Sequence, residues 1–385
     1  MKILQITGFY PPSLGGIQLF VQSLCKSLVE IGHHVDVLTI NTENVVQDEI
    51  TPQGIKILRC KLDFNYHRGL FSQEFFHRML ASKGHDIYHV HIPFPYGHEA
   101  AVLSSKLNNI PLVATHHGQS LHGNIIYTAI AGSYSIFSRV ISFRFLDRIV
   151  FLTNSYAQSI WLPDGLHNKI RIVPTGADLD TFLPARNGYQ IRQKFGIPNS
   201  SPLLIFVGHL GKTNRYKGID YLIRAFKKVL KEVEEVKLLI IGGGDWLPEL
   251  KSLSGKLELN NAIIFTGPIE NHHLPDYYAA ADAFVLPSIR GPENSPVVLF
   301  EAMASGLPVI ATDLPGVNEI VRPEETGLLV EPRNIPELKT ALVRVLSDPD
   351  FQSSAGKKAR VLAESYSWHQ CAHDMENIYG ELLDE

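Results

Sequence analysis

The sequence predicts an α/β protein built from two parallel β-sheets, each covered by helices on both faces. Short β-branched, apolar runs alternate along the chain with longer segments of helical periodicity. The strand-like runs are predominantly apolar, which is typical of parallel strands buried on both sides. A chain of 385 residues is also long enough for two or three domains, because a domain usually holds about 100–200 residues.

Strands and helices alternate regularly in the first half of the chain. Helices are predicted over 17–31 and 72–83, and strands over 2–7, 35–40, 55–60, 86–92, 112–117, 148–153 and 170–175. The stretch 125–146 is apolar and aromatic, with Arg139 and Arg144 embedded in it. We favour a helix that covers the sheet; the alternative is a helix that lies on an anionic membrane.

The alternation lapses between residues 182 and 201, where Pro, Gly, Asn and Ser are frequent, and this predicts a linker. It resumes with predicted strands over 202–210, 236–244, 262–268, 283–288 and 308–314, and the stretch 351–383 is predicted to be helical throughout. We therefore expect two Rossmann-like domains that face each other across a cleft. Their predicted bounds are 1–185 and 186–365, followed by a C-terminal helix over 366–385.

Composition and charge exclude several classes of protein. With 45% hydrophobic and 19% charged residues, the chain has enough apolar area to fold. Its net charge of -4 gives no general electrostatic reason to bind nucleic acid. The three cysteines are far apart, so neither a disulfide framework nor a zinc site is expected. Without a signal peptide or a long apolar run, the sequence predicts a cytoplasmic protein.

Residues 291–321 carry the strongest sign of chemistry. Glu293 and Glu301 lie on either side of a predicted helix start, with Ser295 as N-cap and Pro296 as the first helical residue. The segment follows a predicted strand, and open α/β sheets bind ligands at the carboxyl ends of their strands. The unpaired amides of Val297 and Val298, with the helix dipole, are therefore expected to hold a phosphate or a sugar hydroxyl.

Several segments, taken together and in order, resemble the retaining glycosyltransferase family 4. The glutamate pair leads into EAMASGLPVIAT, then PGVNEIV and TGLLV, and further matching segments are GFYPPSLGGIQLF at the start, HVHIPFP, VATHHGQ, VPTGADLDTF, VGHLGKTNRYKGIDYLIRAF and SWHQCAHDMENIY. The resemblance covers most of the chain. It implies the GT-B fold, in which the final helix crosses back to the first domain.

The resemblance also implies roles for residues of the second domain. Glu301 corresponds to the residue that binds the ribose of the nucleotide, and Glu293 to the residue beside the donor sugar, with Asn294 next to it in the substrate-binding loop. Lys217 corresponds to the basic residue that neutralises the donor diphosphate. This role is physically reasonable, because a fixed ammonium stabilises the negative charge that develops on a leaving diphosphate.

One departure from the family pattern concerns the second positive charge. Many members have an Arg directly after the Gly of the preceding strand, where this chain has His209. Arg215 is our candidate for the missing charge, and His209 is the weaker alternative.

The first domain supplies further candidates. Gly15 and Gly16 form the turn that the family uses near the phosphate or the acceptor, and His117 corresponds to a histidine that points at the reacting sugar. His116 alternates to the opposite face of its strand, so we expect one of the two histidines to pack in the core.

The function implied is transfer of a hexosyl group, with retention, from a UDP- or GDP-sugar to a hydroxyl acceptor: a glycan, a lipid-linked compound or a small molecule. No metal and no cofactor besides the nucleotide-sugar donor are expected, because the Asp178/Asp180 and Asp348/Asp350 pairs lie outside the positions that a metal-binding transferase needs. Peripheral contact with the inner membrane face remains an alternative to a purely cytoplasmic location.

Two other classes of enzyme and one class of binding protein are alternatives. A nucleotide-sugar epimerase of the same fold would bind the same donor. A glycoside hydrolase would need its carboxyl groups about 5–9.5 Å apart, whereas eight helical residues rise about 12 Å. A non-catalytic sugar-binding protein would not need the glutamates and the lysine.

Overall fold

The computed structural model describes residues 1–13, 15–42, 48–66, 69–118, 125–291 and 293–385, with residues 66 and 125–131 described by their backbone. The chain divides into a first unit, Met1–Thr175 with Trp368–Glu385, and a second unit, Gly176–Ser367. The domain limits expected from the sequence were residues 185 and 365. The segment before 185 belongs to the second unit because Phe182 is buried in its core.

The secondary structure up to Thr175 follows the predicted alternation. Its elements are β1 (Lys2–Thr7), α1 (Gly16–Glu30), β2 (His34–Asn41), β3 (Glu49–Ile50), β4 (Lys56–Lys61), β5 (Phe64–Tyr66), β6 (Gly69–Phe71), α2 (Gln73–Ala81), β7 (Ile87–Ile92), α3 (Gly97–Asn108), β8 (Leu112–His116), α4 (Ile125–Val140), β9 (Arg148–Phe151), α5 (Asn154–Ser159) and β10 (Ile170–Ile172). The short strands β3, β5 and β6 were not predicted, because two or three residues are too few to show a period.

The remaining elements complete the second unit and the C-terminus. They are α6 (Tyr189–Lys194), β11 (Leu203–Val207), α7 (Ile219–Val229), β12 (Lys237–Ile241), α8 (Leu247–Lys256), β13 (Ile263–Gly267), α9 (Leu274–Ala280), β14 (Ala283–Leu286), α10 (Val297–Ala304), β15 (Val309–Thr312), β16 (Gly327–Val330), α11 (Ile335–Ser347), α12 (Pro349–Ala363) and α13 (Trp368–Asp384). β16 was also not predicted as a strand.

The first unit is built on an eight-stranded sheet with the order β10-β9-β8-β7-β1-β2-β4-β3. Every pairing is parallel except that of the short β3 with β4. The strand order reverses between β1 and β7, which pair directly. Such a reversal opens a crevice at the carboxyl ends of the two strands, and open α/β sheets bind ligands there.

The second unit has a six-stranded, fully parallel sheet with the order β13-β12-β11-β14-β15-β16. Its order reverses between β11 and β14. The loops that follow these two strands therefore start from the edge where a doubly wound sheet binds its ligand. The expectation of two Rossmann-like, α/β units is confirmed.

The sequence predicted that the stretch 351–383 is helical throughout, and this was wrong. α12 and α13 are separated by residues 364–367, where Ser367 forms a parallel bridge with Ala177 and Tyr366 accepts a hydrogen bond from the Ala177 amide at 2.9 Å. α13 then joins the first unit, where the rings of Trp368 and Phe20 meet edge to face at 5.5 Å. The predicted return of the final helix to the first domain is therefore confirmed.

Among the described helices, none is both long and apolar enough to cross a membrane.

Candidate functional site

Tight loop packing builds the site at the point where the second sheet reverses its strand order. Gly218 has φ 66°, and a Cβ at this position would lie 2.0 Å from the carbonyl oxygen of Pro287, in the loop after β14. Gly316 has φ 90°, and a Cβ there would lie 2.1 Å from the carbonyl oxygen of Glu293. Both positions require glycine because of the left-handed backbone and the close approach. They hold the loops after β11, β14 and β15 together.

An ion pair links two of these loops. Lys217 Nζ donates a hydrogen bond to Glu293 Oε1 at 2.9 Å, and Ser288 Oγ donates to the same oxygen at 2.6 Å. The side chains are 14% and 4% exposed for Lys217 and Glu293, respectively. Burial acts to lower the pKa of Lys217, but the charge and the hydrogen bond of Glu293 and the neighbouring Tyr216 together outweigh it, and the pKa is raised. The lysine therefore remains an ammonium at neutral pH.

Lysine side chains are mostly exposed in folded proteins, but that of Lys217 is not. The pair is largely buried because Gly218 brings the end of the 212–217 turn against the loop that carries Glu293. No local pattern predicts a contact between residues 76 positions apart.

Glu301 lies inside helix α10 and has a different partner. It is 4% exposed, and Tyr278 on α9 donates its hydroxyl hydrogen bond to Glu301 Oε2 at 3.0 Å. Burial raises the pKa of Glu301 to about 7, although the hydrogen bond from Tyr278 acts in the opposite direction. This carboxyl group is therefore poised to change charge near neutral pH. Sequence reasoning missed Tyr278, whose only signal was an aromatic pair in the preceding helix.

The N-terminus of α10 begins one residue later than predicted. Pro296 is the N-cap and Val297 the first helical residue, because Ser295 adopts a left-handed conformation with φ 62°. The amides of Val297 and Val298 donate no hydrogen bond to any residue that the structure describes. Asn294, next to Glu293, is buried. The free amides at this helix end fit an anion or a hydroxyl group.

The two candidates for a second positive charge lie in the segment after β11. The exposed Arg215 forms an ion pair with Glu249 on α8, and its guanidinium carbon lies 5.4 Å from the Trp246 ring centroid. Its guanidinium charge is thus already paired with a carboxylate. The exposed His209 accepts a hydrogen bond from the Gly211 amide at Nδ1, at 3.0 Å. A neutral His209 therefore carries its proton on Nε2, as a donor.

The two Asp-x-Asp pairs have structural roles. Asp178 accepts hydrogen bonds from the amides of Asp180 and Thr181, and Asp348 caps α12 by accepting from the Phe351 amide at 2.9 Å. In the described part of the chain, one group of three side chains could hold a metal: the exposed Glu270, His272 and His273 on the turn after β13.

The first unit places its candidates after β1 and β8. Gly15 is the N-cap of α1 and Gly16 its first residue; both are exposed. His117 follows β8 and is partly exposed, with Nε2 2.9 Å from His91 Nδ1. His116 is buried and stacks on Phe151 at 5.3 Å. His116 is thus a packing residue, and His117 is the histidine that remains accessible.

The two Rossmann-like units, with the carboxyl ends of their strands as the ligand-binding edges, have the architecture of the GT-B class of glycosyltransferases. The family profile described as Glycosyl transferases group 1 matches residues 189–362, and that described as Glycosyltransferase Family 4 matches residues 14–181. The chain therefore belongs to the family 4 glycosyltransferases, and it is an enzyme of the transferase class.

Similar proteins agree with this assignment. An uncharacterized glycosyltransferase of Methanocaldococcus jannaschii is 29% identical over 400 residues, with 100% of this chain and 99% of the relative covered. A D-inositol 3-phosphate glycosyltransferase of Xylanimonas cellulosilytica is 27% identical, with 95% and 92% covered. The crystal structure of HepE from Anabaena in complex with UDP and glucose shares the fold, with a TM-score of 0.80 at 18% identity and 99% and 100% coverage.

Proposed function

We propose that the protein transfers a hexosyl group from a UDP- or GDP-sugar to a hydroxyl acceptor, with retention of configuration and without a metal ion. The observation that carries the proposal is the buried Lys217–Glu293 pair at the switch point of the second sheet. A cation fixed there can take up the charge of a leaving diphosphate. Among the relatives, the enzymes named D-inositol 3-phosphate glycosyltransferase support a hydroxyl acceptor.

The donor would bind chiefly to the second unit. Lys217 would exchange part of its contact with Glu293 for the diphosphate, and the amides of Val297 and Val298 would donate to a phosphate or sugar oxygen. Glu293 and Asn294 would contact the donor sugar. Glu301, as a carboxylate, would accept hydrogen bonds from the two ribose hydroxyls, which need an acceptor without protons of its own.

Transfer requires one bond to break and one to form at the same sugar carbon. The bond from the anomeric carbon to the diphosphate oxygen breaks, and the bonding pair leaves with the diphosphate. The acceptor oxygen attacks from the same face, which retains the configuration, and its proton passes to the departing phosphate oxygen. Lys217 stabilises the diphosphate throughout, so no protein nucleophile is required.

The acceptor would bind to the first unit, at Gly15, Gly16 and His117. To provide a second positive charge for the diphosphate, Arg215 would have to leave Glu249. This would cost little, because the ion pair is exposed and such pairs contribute only about 0–1 kcal/mol. His209 needs no such rearrangement, because its Nε2 proton is already available as a donor.

The hydrogen-bond partners of the two glutamates support transfer without a metal ion. Glu293 is bound to Lys217 and Ser288, and Glu301 to Tyr278. Among the described side chains, one exposed group could bind a metal, namely Glu270, His272 and His273, and neither glutamate belongs to it. The same separate partners disfavour a hydrolase that would use the two glutamates as an acid–base pair.

Donor class and reaction are tested in two steps. Thermal-shift measurements compare UDP, GDP and ADP and their sugars; a ligand at 100 times its dissociation constant adds about 2.7 kcal/mol to the free energy of unfolding. The stabilising donor is then incubated with and without hydroxyl acceptors, and the anomeric configuration of the product is read by NMR. Retained configuration in an acceptor-dependent product supports the proposal. Inversion contradicts it, and conversion of the donor sugar without an acceptor indicates an epimerase.

An exposed apolar surface supports contact with an anionic membrane near the acceptor-binding unit. Ile136 and Phe137 at the end of α4, together with Ile141 and Phe145 just after it, are 45–58% exposed, and the exposed Arg144 lies among them. Aromatic and aliphatic side chains beside a cation suit an anionic lipid surface. Co-sedimentation with phosphatidylglycerol vesicles should exceed that with phosphatidylcholine vesicles and fall in a Phe137→Ser, Phe145→Ser variant. Equal sedimentation of the variant would contradict this contact, and concentration-dependent dimerisation without vesicle binding would reassign the surface.

A further inference from the structure

A chain of hydrogen-bonded polar side chains crosses the first sheet and ends at His117. Gln5 on β1 is fully buried, and His91 on β7 is 1% exposed. His91 Nε2 lies 2.7 Å from Gln5 Oε1, and His91 Nδ1 lies 2.9 Å from His117 Nε2. The three strands involved, β1, β7 and β8, are neighbours in the sheet. The three residues lie far apart in the sequence, so no sequence motif predicts these hydrogen bonds.

Proton counting along this chain fixes a tautomer. The amide oxygen of Gln5 has no proton, so His91 must donate from Nε2. A neutral imidazole carries one proton, and His91 Nδ1 is therefore an acceptor. His117 must then donate from Nε2, which leaves a lone pair on His117 Nδ1. His117 Nδ1 makes no hydrogen bond with any residue that the structure describes.

The orientation of the Gln5 amide decides the outcome. Its nitrogen donates to the Tyr379 hydroxyl at 3.4 Å, and this hydroxyl lies 2.7 Å from His89 Nδ1. If the amide were turned around, its nitrogen would donate to His91 Nε2. His91 would then donate from Nδ1, and His117 would carry its proton on Nδ1 with no lone pair to offer. Gln5 therefore acts on His117 through His91.

The surroundings keep His91 and His117 uncharged. Burial lowers the pKa of His91 well below its usual range, and burial also lowers the pKa of His117 to about 3. Neighbouring histidines act in the same direction. No carboxylate is hydrogen-bonded to His91 or His117 among the described residues.

We propose that Gln5 and His91 are positioning residues that hold His117 in the neutral Nε2–H tautomer, with its Nδ1 lone pair presented to a hydroxyl group of the bound sugar or acceptor. This inference rests on the proposed function for the identity of that hydroxyl group. A hydroxyl donates its proton to the Nδ1 lone pair but can only accept from an Nδ1–H, so the tautomer determines whether His117 can accept the proton of that hydroxyl. A neutral hydrogen bond contributes about 0.5–1.5 kcal/mol, which corresponds to a roughly two- to tenfold effect on kcat/KM.

The test combines a spectroscopic and a kinetic measurement on the full chain labelled with [15N]histidine. The His117 signals are assigned by comparison with a His117→Gln variant. We expect the wild-type His117 to show a protonated Nε2 and an unprotonated Nδ1. Gln5→Met removes the acceptor for His91, and His91→Leu removes the acceptor for His117. Each should shift His117 toward the Nδ1–H form and lower kcat/KM two- to tenfold, with affinity for free nucleotide diphosphate unchanged.

Two further variants serve as controls. His91→Asn keeps an acceptor near the position of Nδ1 and should restore the tautomer and most of kcat/KM. His98→Leu removes a similarly buried imidazole of the same unit that is not hydrogen-bonded to Gln5, His91 or His117. It should change neither the His117 tautomer nor kcat/KM. Thermal melting identifies any variant that does not fold.

The outcomes separate this inference from the proposed function. A wild-type His117 protonated at Nδ1, or a tautomer unchanged in both Gln5→Met and His91→Leu, overturns the positioning role even if transfer is observed. A shifted tautomer with unchanged kcat/KM also overturns it. If no sugar donor is turned over by the wild type, the proposed function fails, while the NMR measurement still decides the tautomer.

Discussion

Replacing Lys217 by Met should destabilise the second unit as well as abolish transfer. Glu293 is 4% exposed and would keep only the hydrogen bond from Ser288. Removing one partner of a buried ion pair costs about 3–5 kcal/mol; we expect about 3 kcal/mol here, because Ser288 remains and Lys217 is not fully enclosed. For a unit of this size, such a loss lowers Tm by roughly 6–12 °C.

A double variant separates the structural loss from the functional one. Glu293→Gln removes the uncompensated charge, and its amide oxygen can still accept from Ser288, so Lys217→Met with Glu293→Gln should recover all but about 1 kcal/mol of the free energy of unfolding. It should remain inactive, because nothing balances the diphosphate. Urea denaturation followed by circular dichroism gives the stabilities, and donor turnover gives the activity. A single Lys217→Met variant as stable as wild type, or an active double variant, would refute the reasoning.

Three further predictions follow from the same site. Burial raises the pKa of Glu301 from its ordinary value of 4.5 to about 7 in the folded chain. Between these two pH values the native state therefore holds a proton on Glu301 that the unfolded chain has lost. This protonation contributes to the free energy of unfolding below pH 4.5, and the contribution is lost as the pH rises through about 7. Urea denaturation should therefore show the free energy of unfolding of wild type falling by about 3 kcal/mol between pH 4 and pH 8 relative to Glu301→Gln; parallel pH profiles would contradict this. Transfer should survive EDTA, and a full loss restored by Mn²⁺ or Mg²⁺ would refute metal independence. Gly16→Ala should leave Tm unchanged, because an added Cβ would meet nothing within 4 Å, yet lower turnover if a ligand approaches this backbone; unaltered turnover would remove Gly16 from the site.

Local patterns were sufficient to predict most of the sheet strands. Runs such as 2–7 and 35–40 are rich in β-branched and aliphatic residues, and the structure has strands there with ends shifted by at most about one residue. One failure has a distant cause: the bridge between Ser367 and Ala177 interrupts the predicted C-terminal helix. Another is local, because the left-handed conformation of Ser295 moves the start of α10 by one residue.

The candidate site was predicted residue by residue from motifs, but its contacts were not. The pairing of Lys217 with Glu293 and that of Glu301 with Tyr278 join separate loops and helices. Sequence spacing carries no information on such contacts, because they depend on how the strands are ordered in the sheet. The same holds for the approach of His91 to His117. The roles assigned to these residues in binding and transfer remain predictions.

The division of labour between the two glutamates is the central claim, and isothermal titration tests it most directly. Wild type, Glu301→Ala and Glu293→Ala are each titrated with the free nucleotide diphosphate and with the nucleotide-sugar. Loss of a charged hydrogen bond to the ribose costs about 1.5–3 kcal/mol, so Glu301→Ala should weaken both ligands roughly 10- to 150-fold. Glu293→Ala frees the Lys217 ammonium from its buried partner, so it should not weaken binding of the free nucleotide diphosphate, whereas it should lower turnover of the nucleotide-sugar. Equal weakening of the free nucleotide diphosphate by both substitutions would contradict the account.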